Sequence, residues 1–124
     1  MKKLVWCLVL LCASAQAAPF DGWTDEEKAW FAASEVSQLL DYQTTRNMLY
    51  QKPAWKNYYE TNPLLGRHPS QGKLNLAEAA TVIGNYYFSD WLSHDSRLLW
   101  LKAHTAVELG VTAHNIRIGA EVRF

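Results

Sequence analysis

The chain has little sulfur chemistry to offer. Its two cysteines, Cys7 and Cys12, both fall within the first twelve residues. The remainder therefore excludes a thiol nucleophile and disulfide stapling. Glycine is also sparse, and its six copies build no phosphate-cradling loop. No Gly-x-Ser-x-Gly elbow occurs, and neither does the His-Glu-x-x-His pattern of zinc proteases. Positive charge is not in excess, with 12 Lys and Arg against 12 Asp and Glu. That balance gives no electrostatic footprint for nucleic acid, so none is expected as a partner. No cofactor fingerprint is present, and neither a cofactor nor a resident metal is expected.

What is present begins at the amino terminus. Lys2 and Lys3 form a short basic region, Leu4 to Ala13 an apolar one, and Ala15-Gln16-Ala17 supplies small residues before a cut at Ala18. This is the three-part layout of an export signal. The apolar run of about ten residues is well short of the roughly 20 that span a bilayer, which argues against a retained anchor. Leu11 before Cys12 is too large for a lipoprotein cut. The expected organisation is thus a signal peptide at 1–17 and a single small helical domain at 18–124. Cleavage would remove both cysteines and two lysines, leaving ten positive against twelve negative residues. About 107 residues remain, enough for one domain with a modest core. The expected location is periplasmic or otherwise exported.

Three helices follow from the patterning. Thr24 with Glu27 three residues on reads as a capping box, and Asp25, Glu26 and Glu27 suit the positive end of the helix dipole. This helix should run to about Tyr50, because Pro53 stops it. Ala29, Ala33, Val36 and Leu40 share one stripe, expected to face the core, with Trp30 and Met48 beside it. The lower end of the stripe turns polar at Gln43, Thr44 and Asn47. Residues 51–73 hold three prolines and two glycines and read as a loop. A loop of that length is unusual in a compact domain. Trp55, Tyr58, Tyr59, Leu64 and Leu65 give it material to pack down, so it is expected to be ordered. A second helix is expected from Asn75 to about Leu92, with Leu76, Ala80, Ile83 and Tyr87 as its apolar stripe. A third is expected from Arg97 to about His114, with Trp100, Leu101, Val107 and Val111 on its apolar arc. From Ile116 to Phe124 apolar residues alternate with Arg117, Gly119, Glu121 and Arg123. That period suits a short C-terminal strand or extended tail, with continuation of the helix as the competitor.

Some polar residues stand where apolar ones are expected. Gln43, Thr44 and Asn47 interrupt the first stripe, and His104 and Glu108 sit near the centre of the third, continued by Asn115. Burying such groups unpaired costs roughly 1–3 kcal/mol each. They should form an internal hydrogen-bond network, line a groove for a ligand or partner, or build a metal or catalytic site. His104 and Glu108 at i, i+4 could face one metal ion, with His68, His94, His114, Asp41 and Glu60 as further ligands. Asp41 and Glu60 could also form an acid/base pair. The second and third helices approach bilayer length and carry Trp and Tyr near their ends. However, Glu78 and Asp90 on one, and Lys102, His104 and Glu108 on the other, oppose spanning.

The most specific segment is Glu60-Thr61-Asn62-Pro63-Leu64-Leu65-Gly66-Arg67-His68-Pro69-Ser70. With Asp41, Thr45 and Arg46 before it, and His114-Asn115 and Gly119 after it, it resembles an uncharacterised family of small exported proteins of bacteria and their prophages. That family's pattern is a signal peptide, a helix with Asp-aromatic-x-Gln-Thr-Arg, then Glu-x-Asn-Pro-hydrophobic-Leu-Gly-x-x-Pro-Ser, then a tyrosine-rich helix and a last helix ending near an asparagine and a glycine. The resemblance covers nearly all of 18–124, with Thr44 standing in place of the pattern's glutamine. It implies location but no activity. The Glu-x-Asn-Pro core is also similar to a motif of small multi-helix membrane proteins. Physically, Asn62 before Pro63 suits a turn and Gly66 a positive φ. Glu60 is expected to pair with Arg46 or with backbone donors at the start of a helix, making the segment a strap across the helices, with a ligand-binding loop as the alternative.

The sequence therefore points to an all-α protein of three main helices with a long ordered loop between the first and second. It is expected to be a non-enzymatic binding or structural component of the cell envelope, acting on an unknown protein partner or a membrane surface. A small integral membrane protein with a polar bundle interior is the alternative, and a small metal-dependent hydrolase the third. The expected binding or structural polar network is Asp41, Thr45, Arg46, Glu60, Asn62, Pro63, Gly66, Ser70, His104, Glu108 and Asn115.

Overall fold

The computed structural model describes residues 18–51 and 58–123. The expected signal at 1–17, with Pro53 and Trp55, lies outside them. Three helices carry the fold: α1 (Asp25–Arg46), α2 (Gln71–Trp91) and α3 (His94–Arg117). The Thr24 box forms as expected. Thr24 Oγ1 accepts from the Glu27 N–H at 3.2 Å, and Glu27 Oε2 accepts from the Thr24 N–H at 2.6 Å. After Arg46 the helix widens into one π turn, Asn47–Gln51. The described helical path thus reaches Gln51, beside the expected limit at about Tyr50.

The later boundaries shift outward. α2 starts four residues before Asn75, because Ser70 is its cap and accepts from the Lys73 N–H at 3.2 Å. α3 starts at His94, with Ser93 in the cap position, and runs on to Arg117. Gly119, at φ 108°, then turns the chain out of the helix. No strand forms among the described residues. The alternating segment has no second strand to pair with, and a lone strand would leave its backbone groups unmet. It runs instead as an extended tail. The Ala120 N–H donates to the Asn115 carbonyl at 2.9 Å, and the Glu121 N–H donates to Asn47 Oδ1 at 3.0 Å.

α1 and α3 form the main interface, and α2 leans on both through a smaller one. The inward faces differ from the expected stripes. Ala29 and Val36 face solvent, as do Leu76, Ala80, Ile83 and Tyr87, and Val107 and Val111 are exposed. Of the predicted stripes, Leu101 is fully buried, while Ala33, Leu40 and Trp100 are half-buried. The buried faces carry Ser34, Ser37, Gln38 and Thr44 on α1, Asn85 and Ser89 on α2, and Thr105, Thr112 and Asn115 on α3. Several hydroxyls on these faces bond back to their own helix. Ser37 Oγ donates to the Ser34 carbonyl at 2.8 Å, Thr44 Oγ1 to Asp41 at 2.9 Å, and Thr105 Oγ1 to Leu101 at 2.8 Å. Back-bonding satisfies a hydroxyl without a partner helix, so small polar residues can sit at the contact.

The apolar core is correspondingly small: Trp23, Met48, Leu49, Leu74, Leu101 and Ala120. At one end it is extended by rings. Phe20, Trp23, Phe31 and Tyr86 lie with centroids 5.1–6.0 Å apart, mostly edge to face. Phe20 takes a left-handed φ of 64°, and its N–H donates to the Tyr86 hydroxyl at 3.3 Å. The segment ahead of α1 is thereby folded down onto α2.

Candidate functional site

Two polar clusters divide the interior, and the first is structural. Arg97 at the start of α3 donates through Nη1 to Glu27 Oε1 at 2.9 Å and through Nε to the Ser89 carbonyl at 2.7 Å. Its Nη2 reaches the Leu92 carbonyl at 2.9 Å and the Asp90 carbonyl at 3.3 Å. The guanidinium also lies 4.5 Å from the centre of a Trp23 ring. Glu27 meets His94 Nδ1 at 3.1 Å as well. Burial alone would raise the Glu27 carboxyl; the Thr24 bonds, His94 and Arg97 outweigh it and hold the group below its ordinary range. A buried charge that is paired and hydrogen-bonded in this way ties together the start of α1, the end of α2 and the start of α3.

The second cluster lies midway along the bundle. Asn115 Nδ2 on α3 lies 3.0 Å from Asp41 Oδ1, 3.0 Å from Thr44 Oγ1 and 3.3 Å from Thr45 Oγ1, all on α1. Glu108, two turns before Asn115, is within hydrogen-bonding reach of Asp41. Burial, then the Glu108 charge and its hydrogen bond, then Glu60, push the Asp41 carboxyl up to about 7. Glu108 is raised by burial and by Glu78. Both carboxyls are thus held above the ordinary carboxylate range. His104 Nε2 stands 3.6 Å from Glu108 Oε1. Burial holds its imidazole below the usual value, against the pull of Glu35, so at neutral pH the contact is not a full ion pair.

Beside them, Asn85 links all three helices. Its Nδ2 reaches Ser34 Oγ at 3.0 Å and Glu35 Oε1 at 2.7 Å, and its Oδ1 accepts from Trp100 Nε1 at 2.8 Å.

The Glu60–Ser70 segment folds as a self-contained turn. Glu60 Oε1 accepts from the Asn62 N–H at 2.9 Å, and Asn62 Oδ1 from the Leu64 N–H at 3.0 Å. The Asn62 carbonyl accepts from Leu65 and Gly66, and the Glu60 N–H donates to the Arg67 carbonyl. Gly66 takes φ 79° as expected, and Pro63 is exposed at the bend. The segment is tied to the helices by Tyr50, whose hydroxyl donates to the Pro69 carbonyl at 2.7 Å, and by Tyr58, which donates to the Ile118 carbonyl at 3.0 Å. Glu60 thus uses neither of the partners foreseen, Arg46 or a helix start, but a backbone N–H within its own turn. Arg46 instead faces Gln71, whose amide oxygen, turned toward it, accepts from Nε at 3.0 Å and Nη2 at 3.2 Å. Ser70 serves as a helix cap.

The turn roofs a cleft of about 290 Å³ lined by Gln38, Asp41, Thr45, Glu60, Glu78 and Glu108 among others. A second pocket of about 450 Å³ adjoins it, with Met48, Leu49, Tyr58, Tyr59, Val107 and Ile118 in its wall. The two share Asp41, Thr45, Glu60, Thr61 and Val111. The structure thus brings together Asp41, Thr45, Glu60, Asn62, Glu108 and Asn115 of the predicted set. His104 stands next to them, and Arg46, Pro63, Gly66 and Ser70 have local roles. The further ligands considered for a metal are dispersed: His94 is on Glu27, His114 lines the apolar pocket and His68 is in the exposed turn. Among the described residues no three His, Asp or Glu side chains are grouped to hold a metal ion.

Sequence reasoning missed Glu27–Arg97, Asn85, Glu35, Gln38 and Glu78. The signal was there: Ser34, Ser37, Gln38, Asp41, Thr44 and Thr45 recur at three- and four-residue spacing, as do Arg97, Leu101, Thr105, Glu108, Thr112 and Asn115. Polar residues with helical period mark a buried face as well as apolar ones do when each can find a partner. Among the described residues, no helix is long and apolar enough to cross a membrane. No protein-family model, curated protein or solved structure matches the chain.

Proposed function

We propose that this is a non-enzymatic, exported protein of the cell envelope that rests on a membrane surface through the outer face of α2. The observation that carries the reading is a continuous apolar stripe pointing away from the bundle. Leu76, Ala80, Ile83, Tyr87 and Trp91 follow one another at single-turn spacing, and Leu76, Tyr87 and Trp91 are 71%, 67% and 79% exposed. No charged residue stands on the stripe itself. Its aromatic rings gather at the carboxyl end, the arrangement that suits lipid headgroup depth. An amphipathic helix lying in the interface needs no spanning length. The export layout at 1–17 supports the same location.

Flotation with phospholipid vesicles tests this. The purified protein should rise with the vesicles, and Ile83→Lys with Leu76→Lys should leave it at the bottom while its melting temperature holds. Wild-type protein that stays at the bottom and elutes as a discrete oligomer would replace the membrane surface with a protein assembly.

A further inference from the structure

We infer that the acidic cleft and the apolar pocket beside it form one binding site for a small aromatic amine, with its ammonium group among Asp41, Glu60, Glu78 and Glu108 and its ring beside Tyr58 and Tyr59. The site is separate from the outer face of α2 and does not depend on it.

Three observations converge. The first is an acidic lining with no fixed counter-cation: no Lys or Arg is among the residues lining either pocket. Four carboxyl groups therefore surround one cleft without a protein cation to neutralise them. The second is Gln38. It is 3% exposed, it lines the acidic cleft, and neither atom of its amide completes a hydrogen bond. The amide acts on Glu78, lowering its carboxyl against the larger upward push of burial, without completing a bond of good geometry. Buried side-chain amides are rarely left in that condition, because each unmet group costs about 1–3 kcal/mol. The third is the adjoining apolar pocket, which opens from the same Asp41–Thr45–Glu60 wall and carries two tyrosines.

Chemistry selects among cations. A bare metal ion needs several oxygen ligands converging on one point. The carboxyls here are instead spread around a cleft, and no three His, Asp or Glu are grouped to hold an ion. A guest with charge at one end and a ring at the other uses both compartments. Burial pushes Asp41, Glu78 and Glu108 upward, and each is also raised by a neighbouring carboxylate. An incoming positive charge reverses that tendency, so binding should expel protons.

Titration calorimetry at pH 7 with tyramine, 4-ethylphenol, putrescine and calcium tests the assignment. Tyramine should bind, and 4-ethylphenol, which keeps the ring and lacks the ammonium, should bind about tenfold more weakly or worse. Putrescine, which has charge without a ring, should also be weaker. Glu60→Gln and Glu78→Gln preserve shape and should each weaken tyramine about tenfold with the melting temperature held. Val107→Trp alters an exposed residue and should block the pocket without touching any carboxyl. Proton release, read by repeating the titration in two buffers of different ionisation enthalpy, should accompany binding. No tyramine binding, equal binding of 4-ethylphenol, or preferential binding of putrescine or calcium would overturn the inference.

Discussion

Asp41 concentrates the consequences of burying charge. Folding places its carboxyl beside Glu108 and pushes it up to about 7, while an unfolded aspartate titrates near 3.9. Between those values the folded chain holds a proton that the unfolded chain has released. Stability therefore falls as pH rises from about 4 toward 7, and levels off above it. Glu27 works with the opposite sign. Its carboxyl is held below the ordinary value, so its contribution is present above the usual carboxylate range and lost as pH falls through its folded value. The two limbs predict maximum stability in mildly acid conditions. Asp41→Asn keeps an oxygen to face Asn115 and Thr45 but removes the titration. It should raise the melting temperature at pH 8 by several degrees, less at pH 5, and change little at pH 4. Thermal melts across that range check it; a parallel drop at every pH would show that Asp41 acts only through its hydrogen bonds.

The elements divide by how local their causes are. The Thr24 box, the reach of the first helical path to about Tyr50, the φ of Gly66 and the turn at Asn62–Pro63 were legible because each depends on a few neighbouring residues. The start of α2 was misplaced because Ser70 competes with Asn75 as a cap, and only the fold of the preceding turn decides between them. The direction each helix faces was only partly legible from apolar content: Leu101 and Met48 are buried, but most of the expected stripes are exposed. Asn85 meets Ser34, Arg97 meets Glu27 and Asn115 meets Thr44 across sequence separations of 51, 70 and 71 residues. Pairing over such distances turns polar residues inward, and a local hydrophobic pattern carries no record of it. The turn and helix glycines give a test with two signs. Gly66→Ala places a Cβ at positive φ and should destabilise by about 1 kcal/mol. Gly84→Ala, inside α2 with nothing within 4 Å of the new carbon, should stabilise by about 0.5–1 kcal/mol. Denaturant unfolding of both variants checks the contrast.

For the whole molecule, the main fact is the exchange of inside and outside. The interior is held by hydroxyls, amides and carboxyls around a small apolar centre, while Leu76, Ile83, Trp91, Leu99 and Val107 face outward. Such an interior is specific but unforgiving, since one missing partner exposes another group's full desolvation cost. Deleting residues 115–124 would leave Asp41, Thr44 and Thr45 without Asn115, and Asn47 Oδ1 without the Glu121 N–H. The expected outcome is loss of the cooperative unfolding transition, read by circular dichroism, rather than a frayed but folded bundle.

The docking of that tail also has a consequence in time. A ribosome delivers α1 well before Asn115 and Glu121, so the polar face of α1 waits for these partners while α2 and most of α3 are made. Local helices and the aromatic cluster of Phe20, Trp23 and Phe31 can form early, but the contacts of Asn115 and Glu121 close only once those residues emerge. The inner face of α1 therefore spends that interval uncovered.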